Sequence, residues 1–63
     1  MTTIIEISFT ATSAVMTMTT SEYTYMRRST VAQAVAWMNR QGLQWQWDVL
    51  EDGTLQAIAE RDE

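Results

Sequence analysis

Residues 43 to 59 of the chain read LQWQWDVLEDGTLQAIA. Apolar and polar residues alternate in both halves of this stretch, which is the period-2 pattern of a β-strand with one face inward. Asp52-Gly53 lies between the halves, and this dipeptide is typical of tight turns between antiparallel strands. The stretch predicts a β-hairpin, with Trp45 and Trp47 on the face that is turned to the core.

The length of the turn decides which residues of the hairpin face each other. A two-residue loop would pair Val49 with Gln56, and a slip of one residue sends every side chain to the other face. A three-residue loop that ends at a left-handed Gly53 keeps apolar residues together. It pairs Val49 with Leu55, Trp47 with Ala57 and Trp45 with Ala59. We expect the three-residue loop, because it sets large tryptophans opposite small alanines.

The first half of the chain also alternates. Apolar residues at every second position predict one strand over residues 3 to 11 and another over residues 14 to 20, joined by a turn at Thr12-Ser13 and paired antiparallel. The pattern changes phase at Ser21-Glu22. A bulge, a bend or a separate short strand over residues 21 to 28 would each explain the change.

The boundaries of a helix are marked at both ends. Thr30 and Gln33 fit a capping box at its start, and Gly42 suits the left-handed residue that closes a helix. The helix is therefore expected from residue 31 to about residue 41. At about 100° per residue its apolar stripe consists of Val31, Ala34, Val35 and Met38. Trp37 falls off that stripe and is expected to be peripheral or exposed.

Together these elements predict a single compact domain over residues 1–63 with an α+β fold. We expect a small antiparallel sheet of four or five strands with one α-helix packed on one face, in the order ββ(β)αββ. The expected core residues are Ile5, Ile7, Phe9, Val35, Met38, Trp45, Trp47, Val49 and Leu55.

The amino-acid composition argues against several classes of function. The 63 residues carry eight carboxylates, four arginines and neither cysteine nor histidine, for a net charge of −4. Broad binding to nucleic acid needs clustered cations, so we expect none. Without histidine, cysteine or lysine a nucleophile with a general base is hard to build, and no phosphate-binding or calcium-loop motif is present. We expect no enzyme activity, no cofactor and no metal site. No leader or long apolar run is seen, which predicts a cytoplasmic protein without membrane contact.

Two groups of residues are candidates for binding a protein partner. Trp37 lies beside Gln33 and Arg40 on the helix, and tryptophan and arginine are enriched at interface hot spots. The carboxylates Asp48, Glu51 and Asp52 lie near the hairpin turn, and a basic partner would complement them. The same acidic set extends to Glu60, Asp62 and Glu63, and its simpler role is solubility.

Other residues have two interpretations. Arg27-Arg28 would clamp a carboxylate or phosphate, or else lie in a solvated turn ahead of the helix, and we favour the turn. The methionines are expected to pack the core, although they also suit an adaptable recognition surface. These methionines are Met16, Met18, Met26 and Met38.

Two strands, then residues 29–42 (STVAQAVAWMNRQG) and residues 45–55 (WQWDVLEDGTL), resemble in layout the small phage and mobile-element proteins that disarm host machinery, such as anti-CRISPR and polymerase-inhibiting proteins. The resemblance implies a non-enzymatic inhibitor or accessory factor in the host cytoplasm. Such a protein occludes a nucleic-acid-handling complex by protein contact. The alternative is a structural homodimer that completes its core through a shared face or edge strand.

Overall fold

The computed structural model describes residues 1–62, which form one five-stranded antiparallel sheet with one helix. The predicted α+β fold and element order are confirmed. The elements are β1 Thr2–Phe9, β2 Ala14–Thr19, β3 Thr24–Ser29, α1 Val31–Gln41, β4 Gln46–Val49 and β5 Leu55–Asp62. In the sheet the strands are ordered β3-β2-β1-β5-β4, so that β1 is central and β3 and β4 are the edges.

The open question at residues 21 to 28 is answered by a third strand. The chain turns at Ser21-Glu22, where the Thr20 amide donates a 2.9 Å hydrogen bond to the Tyr23 carbonyl. β3 then pairs with β2 along its whole length. The change of phase in the sequence is therefore a turn between strands. The first turn also begins earlier than predicted, because β1 ends at Phe9.

The hairpin has the predicted three-residue register. Val49 pairs with Leu55 and Trp47 with Ala57, as predicted. Trp45 lies just before β4, so its predicted pair with Ala59 is not part of the ladder. The Leu50 amide donates to the Thr54 carbonyl over 2.8 Å, and Gly53 adopts a left-handed φ of 88°. A residue with a side chain reaches this φ only with strain, which explains the glycine.

Both helix signals are confirmed. The Gln33 amide donates to Thr30 Oγ1 over 3.1 Å, and the Thr30 amide donates to Gln33 Oε1 over 3.2 Å. This reciprocal capping box satisfies two backbone donors at the helix start. Gly42 has a φ of 63° and closes the helix.

The core lies between α1 and the centre of the sheet. Ile5, Ile7 and Phe9 of β1 and Met38 of α1 are buried as predicted. Trp45 is partly buried against them. Alanines contribute the remaining buried apolar side chains: Ala14, Ala34, Ala57 and Ala59. Their small size allows the helix to approach the sheet closely.

Four expected core residues are instead exposed. Their exposed fractions are 42% for Val35, 53% for Trp47, 66% for Val49 and 39% for Leu55. The reason is geometric: a helix is about 10–12 Å wide with its side chains, whereas five strands spaced about 4.8 Å apart span roughly 20 Å. α1 lies toward β2 and leaves the helix-side face of β4 uncovered.

Trp37 is half-buried and packs against the core. Its ring meets Trp45 edge-on, with centroids 6.2 Å apart and an interplanar angle of 61°. Of the two alternatives given for Trp37, peripheral or exposed, the peripheral position is the one found, whereas Trp47 is more exposed than expected. Of the methionines, Met38 is buried, Met16 and Met18 flank the core, and Met26 is exposed.

Candidate functional site

The uncovered part of the helix-side face forms an apolar surface. We call it the Trp47 surface and define it by Val35, Trp47, Val49 and Leu55. Trp47 stacks on Phe9, with ring centroids 5.9 Å apart and an interplanar angle of 28°. Beside Trp47 a groove of about 600 Å³ runs between α1 and the hairpin turn, and Val35 and Leu55 also line it. A preformed apolar groove of this kind is typical of binding surfaces.

Carboxylates border the Trp47 surface at the hairpin turn. Asp52 lines the groove, and Glu51 beside it is exposed. The Asp52 carboxylate accepts a 2.9 Å hydrogen bond from the Thr54 amide, which holds the pKa of Asp52 below its ordinary value. No lysine or arginine lines this groove in the described residues. The surface is therefore apolar with a negative border.

A second groove lies on the other side of α1, against β3. Its volume is about 280 Å³, and we call it the arginine groove. The residues that give it its character are Met16, Arg27, Ser29, Gln33, Trp37 and Arg40. The favoured interpretation of Arg27-Arg28 as a solvated turn is wrong, because both lie in β3. Arg27 shares the helix-side face with its partner Met16, whereas Arg28 points to the opposite face.

The six residues predicted to bind a partner do not form one site. Gln33, Trp37 and Arg40 come together in the arginine groove. Asp52 lines the other groove, and Glu51 lies at the exposed turn.

Asp48 pairs with Gln56 and so points to the face of the sheet away from the helix. Two further carboxylates of the acidic set lie on the same face as Asp48. Glu60 and Asp62 lie on the face away from the helix, and Glu63 lies outside the described residues.

Sequence reasoning missed the Trp47 surface, although a signal was present. Five candidate strands and a single helix of about 11 residues imply that some of the sheet stays uncovered. The alternation in β4 is the same for a covered and an uncovered strand. Strand order, which places β4 at an edge, was the missing information.

Residues 1–62 contain no group of three side chains placed to hold a metal ion. Within this range no helix has the length and hydropathy needed to cross a bilayer. Comparisons with protein-family models, curated proteins and solved structures gave no match. Two grooves thus flank α1 in the described part of the chain, one apolar with an acidic border and one lined by two arginines.

Proposed function

We propose that this protein is a non-enzymatic protein-binding module, and that its Trp47 surface binds an apolar segment flanked by lysine or arginine. The observation that carries the proposal is the state of Trp47: one side of its ring rests on Phe9, while 53% of the residue is exposed. Leaving so large an apolar side chain in water is unfavourable unless a partner covers it.

Trp47 has the properties of an interface anchor. Tryptophan is enriched among hot-spot residues, and such residues lie near the centre of an interface with smaller contacts around them. Val35, Val49 and Leu55 supply those surrounding contacts. Because Phe9 already supports the ring, less side-chain entropy is lost when a partner binds.

The charge at the border indicates the chemistry of the partner. Asp52 lines the groove beside Trp47, Glu51 precedes it in the exposed turn, and the whole chain has a net charge of −4. Complementary potentials accelerate association and select against like-charged partners. A basic surface with an apolar centre fits this arrangement. Proteins that handle nucleic acid present basic surfaces, so occlusion of such a surface, as in a phage-type inhibitor, is the form of action we propose.

The alternative, a homodimer, is less favourable at this surface. A two-fold dimer brings the same patch of each copy together. In the described residues no lysine or arginine lines the groove, so a second copy would bring further carboxylates to the interface without a complementary positive charge. We therefore assign the Trp47 surface to a different protein.

Selection of binders from a random peptide library on the immobilised protein tests the proposal and requires no candidate partner. We expect the enriched peptides to combine aromatic or aliphatic residues with flanking lysine or arginine, and to bind more weakly as the salt concentration rises. Trp47→Ala should weaken the binding of a selected peptide by roughly 30-fold or more, the hot-spot scale of 2 kcal/mol.

Tyr23→Ala is the matched control, because Tyr23 is also aromatic and 61% exposed but lies next to β3, at the opposite edge of the sheet. It should leave the affinity unchanged. The proposal is wrong if no peptide is enriched, if the enriched peptides are acidic, or if the two variants have equal effects. A concentration-dependent dimer that Trp47→Ala abolishes would also overturn it, in favour of the homodimer.

A further inference from the structure

The arginine groove has a composition that the Trp47 surface lacks. Two arginines, Arg27 on β3 and Arg40 on α1, line one groove, and no aspartate or glutamate of the described residues lines it. Within residues 1–62 neither guanidinium has a hydrogen-bond or ion-pair partner. In an acidic protein, two free arginines in one groove form a local positive site that suits an anion.

Most of the remaining lining of the groove is apolar. Trp37 and Met16 are partly buried side chains that pack against the core and also line the groove. A ligand there would contact hydrocarbon as well as charge. Inorganic phosphate offers charge alone and would leave this apolar lining uncovered.

Gln33 adds a neutral donor with a restricted orientation. Its Oε1 accepts the Thr30 amide in the capping box, so the side-chain NH₂ is the part left free to donate. The capping box thus reduces the freedom of a side chain that lines the groove. A carboxylate accepts hydrogen bonds from guanidinium and amide N–H groups alike.

From these observations we propose that the arginine groove binds the C-terminal residue of a peptide chain. The carboxylate would pair with Arg27 and Arg40, and an apolar side chain would lie against Trp37 and Met16. The volume of about 280 Å³ suits a group the size of one amino-acid residue. A C-terminal apolar residue carries the carboxylate and the hydrocarbon together, whereas an acidic side chain brings the carboxylate without an apolar body. This site is separate from the Trp47 surface and does not depend on its function.

Nuclear magnetic resonance titration of the whole protein with small probes tests the proposal. N-acetylglycyl-leucine should bind with a dissociation constant on the order of millimolar and shift signals within residues 27–40. The amide of the same probe, which lacks the terminal carboxylate, should bind at least tenfold more weakly. Two further probes separate the other sources of negative charge: inorganic phosphate, and N-acetylglycyl-glutamic acid amide, whose carboxylate is on the side chain. Both should bind more weakly than the leucine acid.

Substitutions identify the residues. Arg27→Gln and Arg40→Gln should each lower the affinity for N-acetylglycyl-leucine at least fivefold. Arg28→Gln removes the same charge from the next residue of β3, on the opposite face, and should leave the affinity unchanged. All three arginines are exposed, so the variants should melt as the unaltered protein does.

The proposal is overturned if the leucine acid fails to bind at about 10 mM, roughly tenfold above a dissociation constant of about 1 mM. It is equally overturned if acid and amide bind alike, or if Arg28→Gln weakens binding as much as Arg27→Gln. Equal binding of phosphate would indicate a general anion site. Equal binding of the side-chain carboxylate would indicate an acidic internal segment, and either result contradicts the proposed C-terminal ligand.

Discussion

Trp47 stacks on Phe9 at a centroid distance of 5.9 Å, and the two rings differ sharply in exposure: 8% for Phe9 and 53% for Trp47. Phe9 belongs to the core beneath the helix, whereas Trp47 belongs to edge strand β4, beyond the area that the helix covers. The pair therefore connects the core to the Trp47 surface. Trp47 is held in place by folding and still presents much of its ring to solvent.

Trp47→Ala should destabilise the fold by only about 1–2 kcal/mol, since the variant loses the aromatic pair and part of the burial of one ring. Ile7→Ala, at a fully buried position of β1, should cost more, about 2–5 kcal/mol. Urea unfolding of both variants measures the difference. Equal losses would place Trp47 in the core and remove the basis of the Trp47 surface.

Thr30→Ala should lower the free energy of unfolding by about 0.5–2 kcal/mol, because the Gln33 amide loses its acceptor at the helix start. Thr30→Ser keeps the hydroxyl and serves as the control. Thermal melts should place the serine variant close to the unaltered protein and the alanine variant clearly below it. If the serine variant melts as early as the alanine variant, the hydroxyl is not the stabilising group.

Gly53→Ala should destabilise the hairpin by about 1–2 kcal/mol, the usual cost of a left-handed conformation for a residue with a side chain. A Cβ at this position would meet nothing within 4 Å, so the whole cost comes from the backbone. Gly53→Asn should cost less, because asparagine tolerates positive φ, and Gly53→Val should cost most. Chemical denaturation gives the order of the variants. Any other order would indicate that side-chain contacts, rather than φ, govern this turn.

Asp52 should stabilise the protein in a pH-dependent way. Its pKa is lowered in the folded state because its carboxylate accepts the Thr54 amide, so its contribution is present above the unfolded-state pKa and is lost as the pH falls through the folded-state value. Asp52→Asn should therefore melt below the unaltered protein at pH 7, with a gap that narrows in acid. Melting curves from pH 7 to pH 2.5 test this. A gap that is independent of pH would show that the charge of Asp52 has no role.

Local chemistry made much of the fold predictable from the sequence. The capping box at Thr30 and Gln33, the left-handed Gly42 and the loop ending at Gly53 each depend on a few neighbouring residues, and each is present. The hairpin register was predictable for a related reason, since only one loop length kept Trp47 opposite Ala57.

Burial was less predictable because it depends on strand order and helix position. Trp47 and Ile7 follow the same alternating pattern, yet one lies on an edge strand and the other on the central strand. The arginine groove could be predicted only in part, for the same reason. Helical phase brought Gln33, Trp37 and Arg40 together, but Arg27 joins them only because β3 exists and pairs with β2.

The central claim is that Trp47 is the exposed anchor of a protein-binding surface, and ¹⁹F nuclear magnetic resonance of protein labelled with 5-fluorotryptophan tests it most directly. Trp→Phe variants assign the three signals, and the change in shift between H₂O and D₂O reports the solvent exposure of each ring. Trp47 should show the largest change in the free protein, and a saturating basic-apolar peptide from the library should abolish most of it while Trp37 and Trp45 respond little. A Trp47 signal no more sensitive to solvent than that of Trp45, or one that the bound peptide leaves unaltered, would contradict the claim.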